Sequence, residues 1–426
     1  MAVLPKVHAV FRQLRCFSRT RRNFTDAMEA APVASTEKLY AEPGKIYEVP
    51  MQTVEALNYK KLFPSIYTRQ IDTLGCAWLC RESLVEAINC LQLVKPESPP
   101  LRLVLWGGFG TGKSITMYQL VHWAHSENFV LLTVKSGMTW NRDALDSEES
   151  TYKEGRINTP ANALEALKTE KTYVWSRKET TAEGSSITSM IDVGLINPHC
   201  ATDCVGALCR ELRRYATMGT IKLFVAVDHA NSFYGVTLVK KPDRTPAKAE
   251  NVALIHYFKK FFRQDWLNGA VVMVADKAEF SLKKERRVIH RVTPLELLVK
   301  RQAFDSIDPF IPIETKPYTK AELDVMYDYY KDKQWLTSEK ARTEEGRKQM
   351  MYLSDYNPYY FERICSFTEA RKAQRLDKLV KKLATWRAIN IHTNASRKES
   401  SGCYSPSCRM MPSIKTGKLV SVLKKK

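Results

Sequence analysis

Residues 105–114 read LWGGFGTGKS, and this stretch decides the fold. Gly107-Gly108-Phe109-Gly110-Thr111-Gly112-Lys113-Ser114 satisfies the pattern G-x-x-x-x-G-K-[ST]. Glycines in such a loop permit backbone angles that turn successive amide N–H groups inward, forming a nest for an anion. The start of the following helix adds its positive dipole end. The pattern therefore predicts that residues 107–114 cradle the phosphates of a nucleotide. Lys113 would reach the β/γ-phosphates and the Ser114 hydroxyl would coordinate Mg2+. The plainer reading is a glycine turn that merely opens a helix.

The flanks favour the first reading. LRLVLW (101–106) is a short apolar run suited to a buried parallel strand, and a helix is expected from about Ser114 to His125. FVLLTV (129–134) reads as a second strand, IKLFVAVDH (221–229) as a third and GAVVMVAD (269–276) as a fourth. FIPI (310–313) is a possible last one. CVGALCRELRRYA (204–216) and NVALIHYFKKFFRQDW (251–266) supply intervening helices. Strands alternating with helices predict an α/β fold, a parallel sheet with helices on both faces. WLCRESLVEAINCLQLV ahead of it is expected to be helical, with Leu79, Leu84, Ala87, Ile88 and Leu91 on one face and Cys76 and Cys80 one turn apart. From about 318 only helices are expected, the first opened by a capping box of Thr319 and Glu322.

The companion of a phosphate loop is a buried strand that ends in an acid. Leu223 to Val227 are apolar and Asp228 follows, placed to bind Mg2+ directly or through a water. A glutamate beside that Asp commonly activates water in NTPases that run mechanical cycles, but here the neighbour is His229. The fourth strand ends in Ala275 and Asp276, and an Asp there repels phosphate unless it is neutralised. Arg210, Arg213, Arg214 and Arg263 sit as solvated helix residues would. These features predict nucleotide binding and not rapid turnover, with no catalytic residue assigned.

The net charge of +20 is concentrated at the ends. Residues 1–25 hold six Lys/Arg and no acid, and residues 371–426 hold fifteen Lys/Arg against Asp377 and Glu399. The first segment is amphipathic and Arg-rich, the pattern of a mitochondrial targeting presequence. The last contains RLDKLVKKLATWRAI, with Leu376, Leu379, Val380, Leu383 and Trp386 on one face and basic residues on the other. Such arms suit a polyanion, while the near-neutral body between them does not. No apolar run is long enough to span a membrane. The ten cysteines form no paired CxxC pattern, so buried thiols are expected rather than a metal site or a disulfide framework. The chain divides into a presequence (1–25), an extended and helical lead-in (26–100), the α/β domain (101–317), a helical subdomain (318–369) and a basic extension with an amphipathic helix (370–426).

Beyond the loop, YVWSRKETTAEGS (173–185), VAVDHANSFYG (225–235), DRTPAKAENVALIH (243–256), FDSIDPFIPI (304–313), TEEGRKQMMYLSDYNP (343–358) and FERIC (361–365) belong to no generic nucleotide-binding pattern. In that order they resemble the death-associated protein 3 family of the mitochondrial ribosomal small subunit. The resemblance implies a P-loop NTPase (AAA-like) α/β domain, residence in the head of the small subunit near the large subunit, and a role as a structural constituent. It implies a mitochondrial matrix location, with small-subunit rRNA, neighbouring mitoribosomal proteins and a large-subunit contact as partners. It also implies GTP/GDP or ATP with Mg2+, held by Gly112, Lys113, Ser114 and Asp228, and a pro-apoptotic role in animals. Gly108-Phe109 departs from the more polar pair usual in the loop, and the basic tail extends past the usual end of the family. Two other functions stay open: an active GTPase/ATPase that switches mitoribosome assembly, and a matrix signalling protein that acts off the ribosome.

Overall fold

The computed structural model describes residues 42–366 apart from 64, 143–147, 151–154, 159–172, 175–179, 182–186, 242–243, 277–292, 299–300 and 337. The expected presequence and the amphipathic helix of the basic extension lie outside the described residues.

Apolar runs flanked by turns build a mixed α/β fold around a parallel sheet. A lead-in hairpin pairs β1 (Ile46–Val49) antiparallel with β2 (Cys76–Leu79). Helix α1 (Glu82–Leu91) follows, then β3 (Leu101–Trp106), α2 (Lys113–Ser126) and β4 (Val130–Val134). After α3 (Pro198–Thr217) come β5 (Leu223–Val227), α4 (Ala253–Lys259), β6 (Gly269–Val274) and β7 (Ile311–Glu314). The five long strands lie side by side in the order β7-β3-β6-β5-β4, every neighbouring pair parallel. Strands β5 and β6 are buried along their whole length, as LFVAV and GAVVMV require, whereas edge strand β4 is only half-buried over most of its length.

One face of the sheet packs on α1 and α2 through Leu84, Ile88, Met117 and Leu120, and the other on α3 and α4 through Val205, Leu212, Leu254 and Phe258. A third core joins helices α5 (Lys320–Asp332), α6 (Glu344–Ser354) and α7 (Pro358–Ser366) around Leu323, Tyr327, Met350 and Phe361. Helix α5 begins with the expected capping box: Thr319 accepts from the Glu322 amide and Glu322 accepts from the Thr319 amide.

One expectation fails. Cys76 opens a strand and Cys80 follows its end, so they do not share a helix face, and Leu79 belongs to β2 rather than α1. The CAWL run alternates poorly for a helix start and pairs instead with IYEV, which places β1 alongside it. Both thiols are buried, and burial raises them above the ordinary cysteine range, Cys76 to about 12 and Cys80 to about 11. No helix among the described residues is long and apolar enough to cross a membrane.

Candidate functional site

Register brings the sequence-predicted residues together. Val274 pairs with Leu105 and Met273 with Val227, so the chain leaves β3, β5 and β6 at one edge of the sheet. Gly107, Asp228 and Asp276 emerge there, and Thr315 joins them because Glu314 pairs with Trp106. This carboxyl edge is where open α/β sheets place ligands.

The glycine loop is shaped by close approach as well as by its own angles. Gly110 has φ +76°, and a Cβ there would come within 2.5 Å of Asn357 Oδ1 and 2.7 Å of Tyr359 Cβ. Gly107, at φ +145°, lies against the Thr315 backbone in the same way. The Thr111 and Thr315 hydroxyls meet at 2.8 Å, and Thr111 also donates to the Gly108 carbonyl at 3.0 Å. Phe109 is 55% exposed, its ring edge-on to Tyr359 with centroids 5.1 Å apart. Its backbone, rather than its ring, is tied down, since the Asn357 amide donates to the Phe109 carbonyl at 2.7 Å.

Lys113 is 4% exposed. Its ammonium donates to the Gly108 carbonyl at 2.6 Å and pairs with Asp276 at 3.2 Å. The acid that the sequence marked as repulsive to phosphate is therefore neutralised by the loop lysine. Asp228 is buried, accepts from the His229 amide at 2.9 Å and from the Ser114 hydroxyl, and lies 3.3 Å from His229 Nδ1. Burial pushes its carboxyl up from the ordinary range, while His229 and the Ser114 hydroxyl pull it back. A carboxylate so deprived of water, one hydroxyl away from the loop, suits a hard cation. His229 has φ +52°, uncommon for a side chain of its size, and turns Nδ1 toward Asp228 and the Ser136 hydroxyl at 3.4 Å.

Arg81 was not singled out by sequence reasoning. From the start of α1 it donates to the Thr111 carbonyl at 2.9 Å, to the Lys316 and Pro317 carbonyls at 2.8 and 3.0 Å, and to Glu322 at 2.9 Å. Its guanidinium lies over the Tyr318 ring at 5.0 Å. Asn357 was missed as well. Its carbonyl caps α7, accepting from the Tyr359 amide at 3.0 Å, while its amide holds the loop. Asn followed by Pro is a local helix-start pattern, and nothing near it in sequence announces the loop as its partner.

These elements enclose a cavity of about 510 Å³. Lys113, Ser114 and Asp228 line one end, and Tyr67, Met326 and Glu362 contribute to an apolar remainder that reaches the helical subdomain. Glycine loop, buried lysine, hydroxyl and carboxylate thus share one cavity with aromatic and apolar side chains. Among the described residues no group of three or more His, Cys, Asp or Glu is arranged to hold a metal by itself.

Comparisons with known proteins give the lineage. The family model described as mitochondrial ribosomal death-associated protein 3 matches residues 78–364, a span that includes the loop, Asp228 and Glu362. Small ribosomal subunit protein mS29 of Bos taurus is 32% identical over 339 residues, covering 76% of this chain and 84% of the relative. The Mus musculus protein of the same description is 32% identical over 338 residues, covering 76% and 85%.

Proposed function

The chain belongs to the mitochondrial ribosomal death-associated protein 3 family, and we propose that it is a structural constituent of the small mitoribosomal subunit that holds a purine nucleotide with Mg2+ as part of its fold. It is a mitochondrial protein, and small-subunit rRNA and neighbouring ribosomal proteins are its partners; a contact with the large subunit belongs to the same proposal. The strongly basic ends of a near-neutral body support this role, because arms alone can thread among phosphates.

One observation supports the nucleotide: the P-loop sequence, the buried Lys113, Ser114 and Asp228 all open on one cavity. Gly107 to Ser114 would take the phosphates, and Ser114 and Asp228 the Mg2+. The bound pair supplies phosphate charge and a neutralising cation, not a reaction step. Lys113 would exchange its glycine carbonyl for a phosphate oxygen while still facing Asp276. Arg81 and Asn357 hold the loop against the helical subdomain, so that a ligand in the cavity touches both parts. A ligand held at a thousand times its dissociation constant adds about 4 kcal/mol of stability with no chemistry.

Holding is favoured over turnover because His229 directs Nδ1 at Asp228 and Ser136. That nitrogen is engaged within the protein rather than offered to a water. The active GTPase/ATPase switch remains the competing reading, and turnover stimulated by ribosomal particles would favour it.

The test is sedimentation of gently lysed mitochondria in Mg2+, with wild type beside Lys113→Ala. Wild type should travel with the small subunit, and purified Lys113→Ala should bind nucleotide about a hundred-fold more weakly, having lost charge-assisted bonds to phosphate. Wild type at the top of the gradient would overturn the ribosomal reading. A mutant that keeps nucleotide as well as wild type would overturn the site.

A further inference from the structure

The end of α3 and the segment after α4 form a face that gathers like charges from three parts of the chain. Cys209, Leu212 and Ala216 turn the apolar side of α3 inward, and Arg210 and Arg213, one turn apart, lie on its outer side. In KKFFR (259–263) Phe261 and Phe262 are buried and hold Lys260 and Arg263 toward the surface. Arg213 donates to the Lys260 carbonyl at 3.3 Å, which fixes the two segments side by side. Arg156 arrives from a third segment, anchored where Ile157 bridges Val252. It shares the Tyr257 ring with Lys260, the guanidinium 5.8 Å and the ammonium 5.9 Å from the ring centroid. Burial lowers the Lys260 ammonium from its ordinary range, and the guanidinium groups of Arg213, Arg156, Arg210 and Arg263 lower it further. Asp265 answers Arg213 at 3.0 Å, but among the described residues no carboxylate pairs with Lys260 or Arg263. The near-neutral total of the body thus conceals a local excess of positive charge.

We infer that this face docks on the phosphate backbone of RNA. The inference rests on the ribosomal reading above and adds a rigid contact on the body to those of the basic ends. Like charges held together on packed elements raise the energy of the free protein, and an anion laid across them removes that repulsion. A polynucleotide supplies phosphates in a row, so one strand meets cations from all three segments, and each contact releases a counterion. Among the described residues of α3 and of 253–266 no large apolar side chain is exposed. The core of a protein–protein interface is apolar, so the face fits a polyanion better than a protein surface. Its contacts read phosphate rather than base, and they set position rather than sequence. The arginines that look like solvated helix residues in the sequence thereby acquire a common ligand.

The experiment is a fluorescence-anisotropy titration of a labelled mixed-sequence RNA duplex with the full chain, repeated between about 0.05 and 0.2 M salt. It compares wild type with the double variant Lys260→Gln/Arg263→Gln. A control, Lys340→Gln/Lys348→Gln, removes the same charge from exposed sites of the helical subdomain. The face variant should bind about ten-fold more weakly near 0.15 M salt, and its salt slope should shrink by about 1.8, two phosphate contacts at about 0.9 each. The control should stay within about two-fold of wild type, and Arg263→Lys, which keeps the charge, should bind as wild type does. The thermal midpoint of the face variant should hold or rise, because the repulsion at Lys260 is relieved, so its weaker binding cannot come from a damaged fold. A face variant that binds as wild type does would overturn the inference, and so would a control that loses as much. An equal loss of binding to labelled polyglutamate would assign the face to an acidic protein instead, and would overturn it too. In each case wild type that still sediments with the small subunit leaves the ribosomal reading standing, whereas wild type free at the top of the gradient would overturn both.

Discussion

The two ends of the cavity are built in different ways. The loop end is made by consecutive residues whose backbone does the work, with Lys113 and Ser114 in the first turn of α2. The far end is made by side chains from separated elements: Tyr67 before β2, Tyr330 on α5 and Glu362 on α7. A site of the first kind is written as spacing in a sequence. A site of the second kind exists only after the lead-in and the helical subdomain have packed together. It also carries a penalty that the first avoids, since Lys113 has Asp276 as a counter-charge while Glu362 Oε1 has no partner.

That penalty gives the largest predicted effect on stability. Burial pushes the Glu362 carboxyl up to about 7 from an ordinary value of 4.5, with the Tyr330 hydroxyl and Arg363 pulling it part of the way back. Tyr67, Tyr318, Tyr330 and Cys365, which also face it, are all raised by burial and stay protonated through neutral pH. A raised carboxyl means that the folded state holds the proton more tightly than the unfolded one. Stability is therefore fullest below pH 4.5, falls as the pH rises toward 7, and is flat above. Glu362→Gln cannot ionise and escapes the loss. In nucleotide-free protein, urea unfolding should show the variant gaining about 2–3 kcal/mol on wild type between pH 5 and pH 8. A gap independent of pH would mean that Glu362 is not buried as a charge, and the contrast between the two ends would collapse.

The same contrast explains what was legible beforehand. The alternation of apolar strands with helices around residues 101–276 and the Thr319 capping box follow from local pattern and form as it expects, and Lys113, Ser114 and Asp228, also chosen from local pattern, come to line one cavity. The Cys76–Leu79 strand was missed because its pairing partner, Ile46–Val49, lies a whole helical segment away. Arg81, Asn357 and Glu362 were missed for a related reason. Each looks locally like an ordinary residue at or within a helix, and its partners lie far off in sequence: Thr111 and Glu322 for Arg81, Phe109 for Asn357, Tyr330 for Glu362. Asp276 was recognised as repulsive unless neutralised, and what the sequence left unsaid is that the Lys113 ammonium neutralises it.

At the loop end the backbone itself can be challenged. Gly110→Ala places a Cβ against Asn357 and Tyr359 at a φ of +76° that alanine adopts with strain. About 2 kcal/mol of destabilisation is expected, from left-handed strain together with overpacking. The damage should appear as a lower thermal midpoint and as weaker binding of GDP and ADP alike, because the phosphates are common to both. Unchanged binding of both nucleotides in a destabilised variant would show that the loop does not hold the phosphates.

The smallest effect is expected where the two ends are joined. Arg81 holds the Thr111 carbonyl with one nitrogen of its fork and Glu322 with another, and lies over Tyr318. Arg81→Lys keeps the charge but not the fork, and one ammonium cannot reach every partner. A loss of about 1 kcal/mol of stability follows, the worth of one or two hydrogen bonds and a cation–π contact. Nucleotide binding should weaken no more than the loss of stability accounts for, because Arg81 grips the frame and not the ligand. If nucleotide binding falls by much more than that loss of stability explains, Arg81 does more than join the two parts, and sets the shape of the loop that meets the phosphates.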